Sequence, residues 1–200
     1  QMHGVAADLT TMAKGLAGGL PLAAVTGKAE LMDAANPGGL GGTYAGNPLG
    51  IAASHAVLDV IEEEQLCARA NELGSRLKQR LEQIRSTTPE ITDIRGPGFM
   101  VAVEFANPGN KEPDAGFTGR VRMEALKRGL ILLTCGVYGN VIRFLFPLTI
   151  EDHVFTEALG VLDAALADPH LEGVGLRVPQ VHVAMYLRIG SHAAGFLWPR

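Results

Sequence analysis

A single lysine stands in a stretch of small and apolar residues near the start of the chain. Besides Lys14, residues 12–22 are only Met, Ala, Gly, Leu and Pro, and the nearest preceding acid is Asp8. Such a site hydrates an ammonium group poorly, which favours the neutral amine, and a neutral lysine amine forms Schiff bases with aldehydes. The stretch therefore predicts a nucleophilic lysine. A surface lysine at a strand-to-loop junction remains the alternative.

A glycine-rich segment, residues 38–48, ends at a helix start. It carries the hydroxyl of Thr43, and Asn47 followed by Pro48 is typical of a helix N-cap and first helical residue. Backbone N–H groups ahead of a helix N-terminus, together with the helix dipole, suit a phosphate group. The segment therefore predicts a phosphate site, with a structural capping loop as the alternative.

An arginine interrupts an apolar strand pattern near residue 143. Arg143 lies between Ile142 and Phe144, and a permanent charge is costly to bury there unless an anion meets it. A guanidinium can bind a carboxylate through two parallel hydrogen bonds. Arg143 is thus a candidate carboxylate ligand, and an outward-facing arginine on an edge strand is the alternative.

The remaining pattern predicts alternating helices and strands that position these three side chains. Apolar runs predict strands at residues 22–27 (buried), 91–95, 99–105, 130–133 and 141–146. Three- and four-residue apolar spacing predicts helices at residues 28–34, from 48 to the acidic run 62–64, and at 65–85, 117–128 and 151–166. This order favours an α/β region followed by a small α+β domain.

Composition narrows the function classes. The 200 residues carry a net charge of −4 and 47% hydrophobic residues, which indicates a folded chain and favours neither nucleic acid nor an anionic membrane as a partner. Cys67 and Cys135 form no CxxC pair, so we expect a reduced, cytoplasmic setting. No signal peptide or membrane span is expected, and no metal site, including at the histidines of residues 169–200.

Taken together, a Schiff-base lysine, a phosphate site and a carboxylate-binding arginine describe a pyridoxal phosphate enzyme that acts on amino acids. Residues 8–19, 38–48, 132–136 and 140–143 resemble, in order and spacing, the C-terminal half of class III (fold type I) aminotransferases. The 4-aminobutyrate subgroup is the most similar. The resemblance implies the C-terminal part of the large cofactor domain at residues 1–60, a small α+β domain at 61–168, and a poorly ordered tail outside the family pattern at 169–200.

The resemblance also implies roles for the candidate residues. Lys14 would bind pyridoxal 5′-phosphate and then shuttle the substrate proton, and Arg143 would bind the α-carboxylate of the keto acid or glutamate. Thr43 would bind the cofactor phosphate in the neighbouring subunit's site, which implies a homodimer. The reaction implied is transamination from 4-aminobutyrate to 2-oxoglutarate.

One departure tempers that expectation. The upstream half of the family pattern, including the aspartate that protonates the pyridine nitrogen, has no counterpart in this sequence, so we expect little or no transaminase activity from this polypeptide alone. Two alternatives follow from the same residues: another class III ω-aminotransferase, acting on 5-aminovalerate, ornithine or acetylornithine, or a non-catalytic fragment that serves as a dimerisation module.

Overall fold

The computed structural model describes residues 4–167 of the 200-residue chain. The chain divides into two compact units, Gln1–Leu66 and Cys67–Arg200. The division lies six residues beyond the boundary expected at residue 60, and the assignment of the units to a large and a small domain stays a prediction. The predicted tail, residues 169–200, lies outside the described residues.

The first unit contains a hairpin that carries the lysine turn. Strand β1 (Leu9–Met12) pairs antiparallel with β2 (Ala24–Gly27), and a 3-10 turn, Lys14–Ala17, lies between them. A one-turn helix, α1 (Ala29–Met32), follows. The strand predicted at residues 22–27 is present but is not buried: Val25 is 51% exposed. A two-stranded ribbon has no layer of its own over its faces, and the short helix α1, which contacts β2, leaves three of the four β2 residues exposed.

Helix α2 (Pro48–Glu63) begins where the sequence predicts it. The Asn47 side-chain oxygen accepts a hydrogen bond from the Leu49 N–H at 3.1 Å, with proline in the first helical position. Gly50 is the only residue of α2 that is fully buried, and its Cα lies near Pro21 and Leu22. On both sides of Gly50 around the helix, the apolar side chains stay largely exposed: Leu49, Ile51, Leu58 and Val60.

The second unit is a four-stranded antiparallel sheet covered by helices. Its strands, in spatial order β3–β4–β6–β5, are β3 (Ile91–Arg95), β4 (Val101–Phe105), β5 (Leu133–Cys135) and β6 (Val141–Phe144). Helices α3 (Leu66–Arg85), α4 (Ala115–Lys127) and α5 (Asp152–Ala167) supply the rest of one apolar core. The alternation of β4, with three buried residues separated by two half-buried ones, is the pattern of a strand with one face on a core.

Strand β5 begins later than predicted, and a helix cap explains why. The sequence predicts a strand at residues 130–133, whereas the sheet ladder starts at Leu133. The N–H of Leu130 donates to the Ala125 carbonyl at 2.8 Å, and Gly129 has a φ of +88°. This is the closure of a helix C-terminus through a left-handed glycine. The backbone donor of Leu130 is thus used by α4 and is not free for the sheet.

Charged groups join the helices of the second unit. Arg69 and Arg76 on α3 both bind the first carboxylate of α5, Asp152, at 2.7 and 2.8 Å. Their hydrogen bonds, that of Arg69 first, hold the pKa of Asp152 below its usual range. On α4, the buried carboxylate of Glu124 accepts from Lys127 and Arg128 one turn later, and these bonds lower its pKa.

Candidate active site

Lys14 occupies the first position of the turn that follows β1, and its backbone is left-handed. Its φ is +59°, a conformation that non-glycine residues rarely adopt. Ala17 is buried at the end of the turn, and Gly18, with a φ of +60°, lies so close to α2 that an added Cβ would be 3.3 Å from Val57. The turn is therefore anchored behind the lysine, and residues held in such backbone regions are common at functional sites.

The Lys14 amine makes no hydrogen bond or ion pair within residues 4–167. The nearest preceding acid, Asp8, is bound at 2.5 Å by Lys28 on the other side of the hairpin. Lys14 is exposed, so the apolar enclosure suggested by its neighbours is not present in the described residues. Its amine is consequently available to an incoming group.

Thr43 lies in the turn ahead of α2, and its side chain is exposed. Left-handed or extended glycines flank it: Gly41 has a φ of +153° and Gly46 a φ of +68°. The Ala45 N–H donates to the Gly42 carbonyl at 2.9 Å, and Asn47 caps the helix. One helical N–H is thus used by the cap. The Thr43 hydroxyl has no hydrogen-bond partner in the described part of the chain, as a phosphate-binding group would require.

Arg143 lies on β6, an inner strand of the sheet. It is exposed between buried Ile142 and Phe144, so its charge faces away from the core. The alternative prediction is an outward-facing arginine on an edge strand. Arg143 does face outward, but β6 is not an edge strand, because β4 and β5 flank it on both sides. No ion pair or hydrogen bond occupies its guanidinium among residues 4–167.

A second charged group on the same sheet face escaped the sequence analysis. Arg95 Nη1 on β3 binds both Asp93 Oδ2 and Glu104 Oε2 at 2.6 Å. These hydrogen bonds, that to Asp93 first, raise the pKa of Arg95. The buried side chain of Asn140 donates to the Phe105 carbonyl at 2.9 Å and to Glu104 at 3.4 Å. Only the alternation of β3 and β4 could have suggested this cluster, and it does not show which charges pair.

The structure thus separates the candidates into two sets. Lys14 and Thr43 belong to the first unit, and no hydrogen bond joins them within the described residues; Arg143 belongs to the second. Neither a cluster of potential metal ligands nor a helix able to span a membrane occurs in residues 4–167. The first set offers an amine and a hydroxyl for an aldehyde-bearing phosphate ester, and Arg143 offers a cation for a carboxylate.

Sequence comparisons identify relatives over most of the chain. Residues 1–166 match the family model of class III aminotransferases. The chain is 52% identical to the 5-aminovalerate aminotransferase DavT of Pseudomonas putida, a match that covers 84% of this chain and 40% of the relative. It is 53% identical to the 4-aminobutyrate aminotransferase GabT of Escherichia coli over 81% of this chain and 38% of the relative. The chain thus spans about 40% of the length of these relatives.

Solved structures share the fold at lower identity. A phospholyase from Arthrobacter, in complex with phosphoethanolamine, has a TM-score of 0.77 at 31% identity and matches 84% of this chain and 40% of its own. An amine transaminase from an uncultivated Pseudomonas species, in its PLP-bound form, has a TM-score of 0.72 at 30% identity over 82% of this chain and 39% of its own. The predicted α/β fold class is confirmed, and the family implies pyridoxal phosphate as cofactor. This chain belongs to the class III aminotransferases.

Proposed function

We propose that this chain carries the lysine-bearing and carboxylate-binding part of an aminotransferase. The reaction is transfer of the amino group of 4-aminobutyrate to 2-oxoglutarate, which gives succinate semialdehyde and glutamate. The observation that carries the proposal is the position of Lys14 on a left-handed turn, with no partner for its amine among residues 4–167. Family membership and about 50% identity to 4-aminobutyrate and 5-aminovalerate aminotransferases support it.

Lys14 has two tasks in this proposal. Its amine binds the cofactor covalently, and once released it moves a proton at the substrate carbon that bears the amino group. Bound pyridoxal phosphate supplies the aldehyde carbon that receives the amino group and the ring that delocalises the electron pair. The anchored turn restricts the starting direction of the lysine side chain, which reduces the freedom lost when the amine meets its target.

Arg143 and Thr43 hold the two ends of the reacting pair. The Arg143 guanidinium donates to the α-carboxylate of 2-oxoglutarate or glutamate, for which its planar pair of N–H groups is suited. The Thr43 hydroxyl donates to the cofactor phosphate. We propose that it does so in the site of a second copy, which makes the working form a homodimer.

Borohydride trapping tests the central assignment. The purified chain is mixed with pyridoxal 5′-phosphate, reduced, digested and analysed by mass spectrometry, because reduction fixes a lysine–aldehyde bond as a stable secondary amine. We expect the label on Lys14 and its loss in Lys14→Arg. Lys28→Arg is the matched control, since Lys28 lies on the same hairpin and is already paired with Asp8. A label on another lysine, or an unlabelled chain, would contradict the assignment and favour a non-catalytic module.

The choice of amino donor needs a separate test. The relatives named for 4-aminobutyrate and 5-aminovalerate are 53% and 52% identical to this chain, a difference too small to discriminate. Initial rates with 4-aminobutyrate, 5-aminovalerate, ornithine and acetylornithine, measured on the longest natural form of the protein, decide it. We expect 4-aminobutyrate to have the highest kcat/KM, because the Gly-Gly pair before Thr43 and residues 134–136 are most similar to the 4-aminobutyrate subgroup. We also expect the enzyme to be cytoplasmic, with Cys67 and Cys135 reduced.

A further inference from the structure

One face of the four-stranded sheet carries an arrangement of charges that the three proposed site residues leave unexplained. Arg95 on β3 and Arg143 on β6 are both paired in the register with the same residue of β4, Ala102. Because neighbouring strands are about 4.8 Å apart, the two arginines stand about 10 Å from each other across this alanine. A small residue between them leaves both guanidinium groups room to move.

Glu104 lies two residues further along β4, on the same face. In the register it is directly opposite Asp93 on β3 and Val141 on β6. Each arginine is therefore a diagonal neighbour of Glu104, at a backbone separation of about 7–8 Å that two long side chains can bridge. The register alone gives the carboxylate two equivalent cationic partners.

The side chains resolve this choice completely. Glu104 binds Arg95 at 2.6 Å, while within the described part of the chain Arg143 has no ionic partner. Asp93 accounts for the asymmetry: two carboxylates directly opposite each other repel, and Arg95 bridges them by binding both. On the β6 side Glu104 faces the apolar Val141 and has only the neutral amide of Asn140, at 3.4 Å, as a partner, so no second carboxylate needs a bridging cation there.

We propose that Arg95 is a positioning residue: it retains Glu104 on the β3 side and thereby keeps the Arg143 guanidinium free for a substrate carboxylate. This inference rests on the proposed function of Arg143. Without Arg95, Glu104 would lose its ionic partner and keep only the 3.4 Å contact with the neutral Asn140, so its charge would turn to Arg143. The protein's own carboxylate would then compete with the carboxylate of the amino acid or keto acid.

The experiment follows the Arg143 side chain by NMR in the full chain. Its Nε–Hε signal is assigned by its disappearance in Arg143→Lys. We call its chemical shift in the absence of any added carboxylate the resting signal. We expect Arg95→Met to move the resting signal, and the double variant Arg95→Met with Glu104→Gln to return it to the wild-type position. Arg95→Lys should stay close to wild type. Arg85→Met is the matched control, because Arg85 is a similarly exposed arginine of the same unit with a carboxylate partner.

Titration with glutarate then measures the consequence. Glutarate is a dicarboxylate of the same length as 2-oxoglutarate without its keto group. The midpoint is the glutarate concentration at which the Arg143 signal has completed half of its shift. We expect it to rise about threefold to fivefold in Arg95→Met, the range that a partly exposed ion pair can cause, and to recover in the double variant. Glu104→Gln alone should leave both the resting signal and the midpoint unchanged. A shift in either would show that Glu104 already acts on Arg143 while Arg95 is present, and it would overturn the inference even if Arg95→Met does not fold.

The two proposals fail in different ways. An unmoved resting signal in Arg95→Met, or a double variant that does not recover, would overturn the positioning role and leave carboxylate binding by Arg143 intact. The other failure is that the resting signals behave as expected but the wild-type Arg143 signal does not shift when glutarate is added. That result would contradict the proposed substrate role of Arg143. A purely structural role of Arg95 predicts equal damage in the single and double variants, which also overturns the inference.

Discussion

Replacing Lys14 by glycine should stabilise the lysine turn while it abolishes the proposed chemistry. The left-handed backbone of Lys14, with φ at +59°, costs an L-residue about 1–2 kcal/mol relative to the right-handed form. Glycine avoids this cost but loses about 0.5–1 kcal/mol through the greater freedom of its unfolded chain. The Lys14 side chain has no polar partner in the described residues, so its removal sacrifices no hydrogen bond there.

Alanine at the same position isolates the backbone term. Lys14→Ala keeps the left-handed cost, so Lys14→Gly should be more stable than Lys14→Ala by about 1 kcal/mol, which is about a fivefold change in a local opening equilibrium. Lys14→Asn should fall between the two, because asparagine tolerates positive φ better than alanine. The order of the three variants is therefore as informative as the size of the effect.

Amide hydrogen exchange on β1 and β2 is the assay, because these strands close the loop that contains the turn. Protection factors at the paired amides should be about fivefold higher in Lys14→Gly than in Lys14→Ala. Equal protection in the two variants, or greater protection with alanine, would refute strain at this position. Pyridoxal phosphate trapping on Lys14 should be absent from all three variants, so stability and function would change in opposite directions in Lys14→Gly.

Further predictions concern the second unit. Glu124→Gln should lower the free energy of unfolding at neutral pH, because the carboxylate binds Lys127 and Arg128. The folded pKa of Glu124 is below the usual 4.5, so this stabilisation is lost as the pH falls through the folded pKa. The difference between wild type and variant in urea titrations should therefore shrink at low pH. Gly74→Ala should destabilise by about 1–3 kcal/mol or more, because its Cβ would meet the backbone oxygen of Gly98 at a severe clash distance. Gly160→Ala, with open space around the added Cβ, should stabilise by about 1 kcal/mol in thermal melts.

Local patterns predicted most of the fold. The leucine spacing of residues 65–85 predicts α3 to within one residue, since an amphipathic helix needs only its own sequence to mark its buried face. The Asn47–Pro48 pair likewise marks the start of α2 through a local hydrogen bond. The family and its cofactor follow from motif order, and the comparisons confirm them. The roles of Lys14, Thr43 and Arg143 stay predictions.

Features that depend on distant or backbone properties were not predictable. A lysine gives no sign that its φ is positive, because glycine is the residue that normally marks such positions. The register of three strands still leaves Glu104 two equal candidates, Arg95 and Arg143, and the choice depends on the nearby carboxylate of Asp93. The late start of β5 depends on the cap at Leu130, which an apolar run does not reveal. The exposure of β2 similarly reflects which layers are present rather than the apolar content of the strand.

The uncovered flanks of helix α2 have a consequence for handling the protein. Leu49 is 71% exposed and Leu58 is 49% exposed, and the two lie on opposite sides of the helix relative to the buried Gly50. Apolar area of this kind binds amphiphilic dyes and becomes stickier in strongly hydrated salts such as ammonium sulfate. Precipitation should therefore precede unfolding as sulfate rises, and serine at both leucines should move the precipitation point to higher salt while the melting temperature changes little.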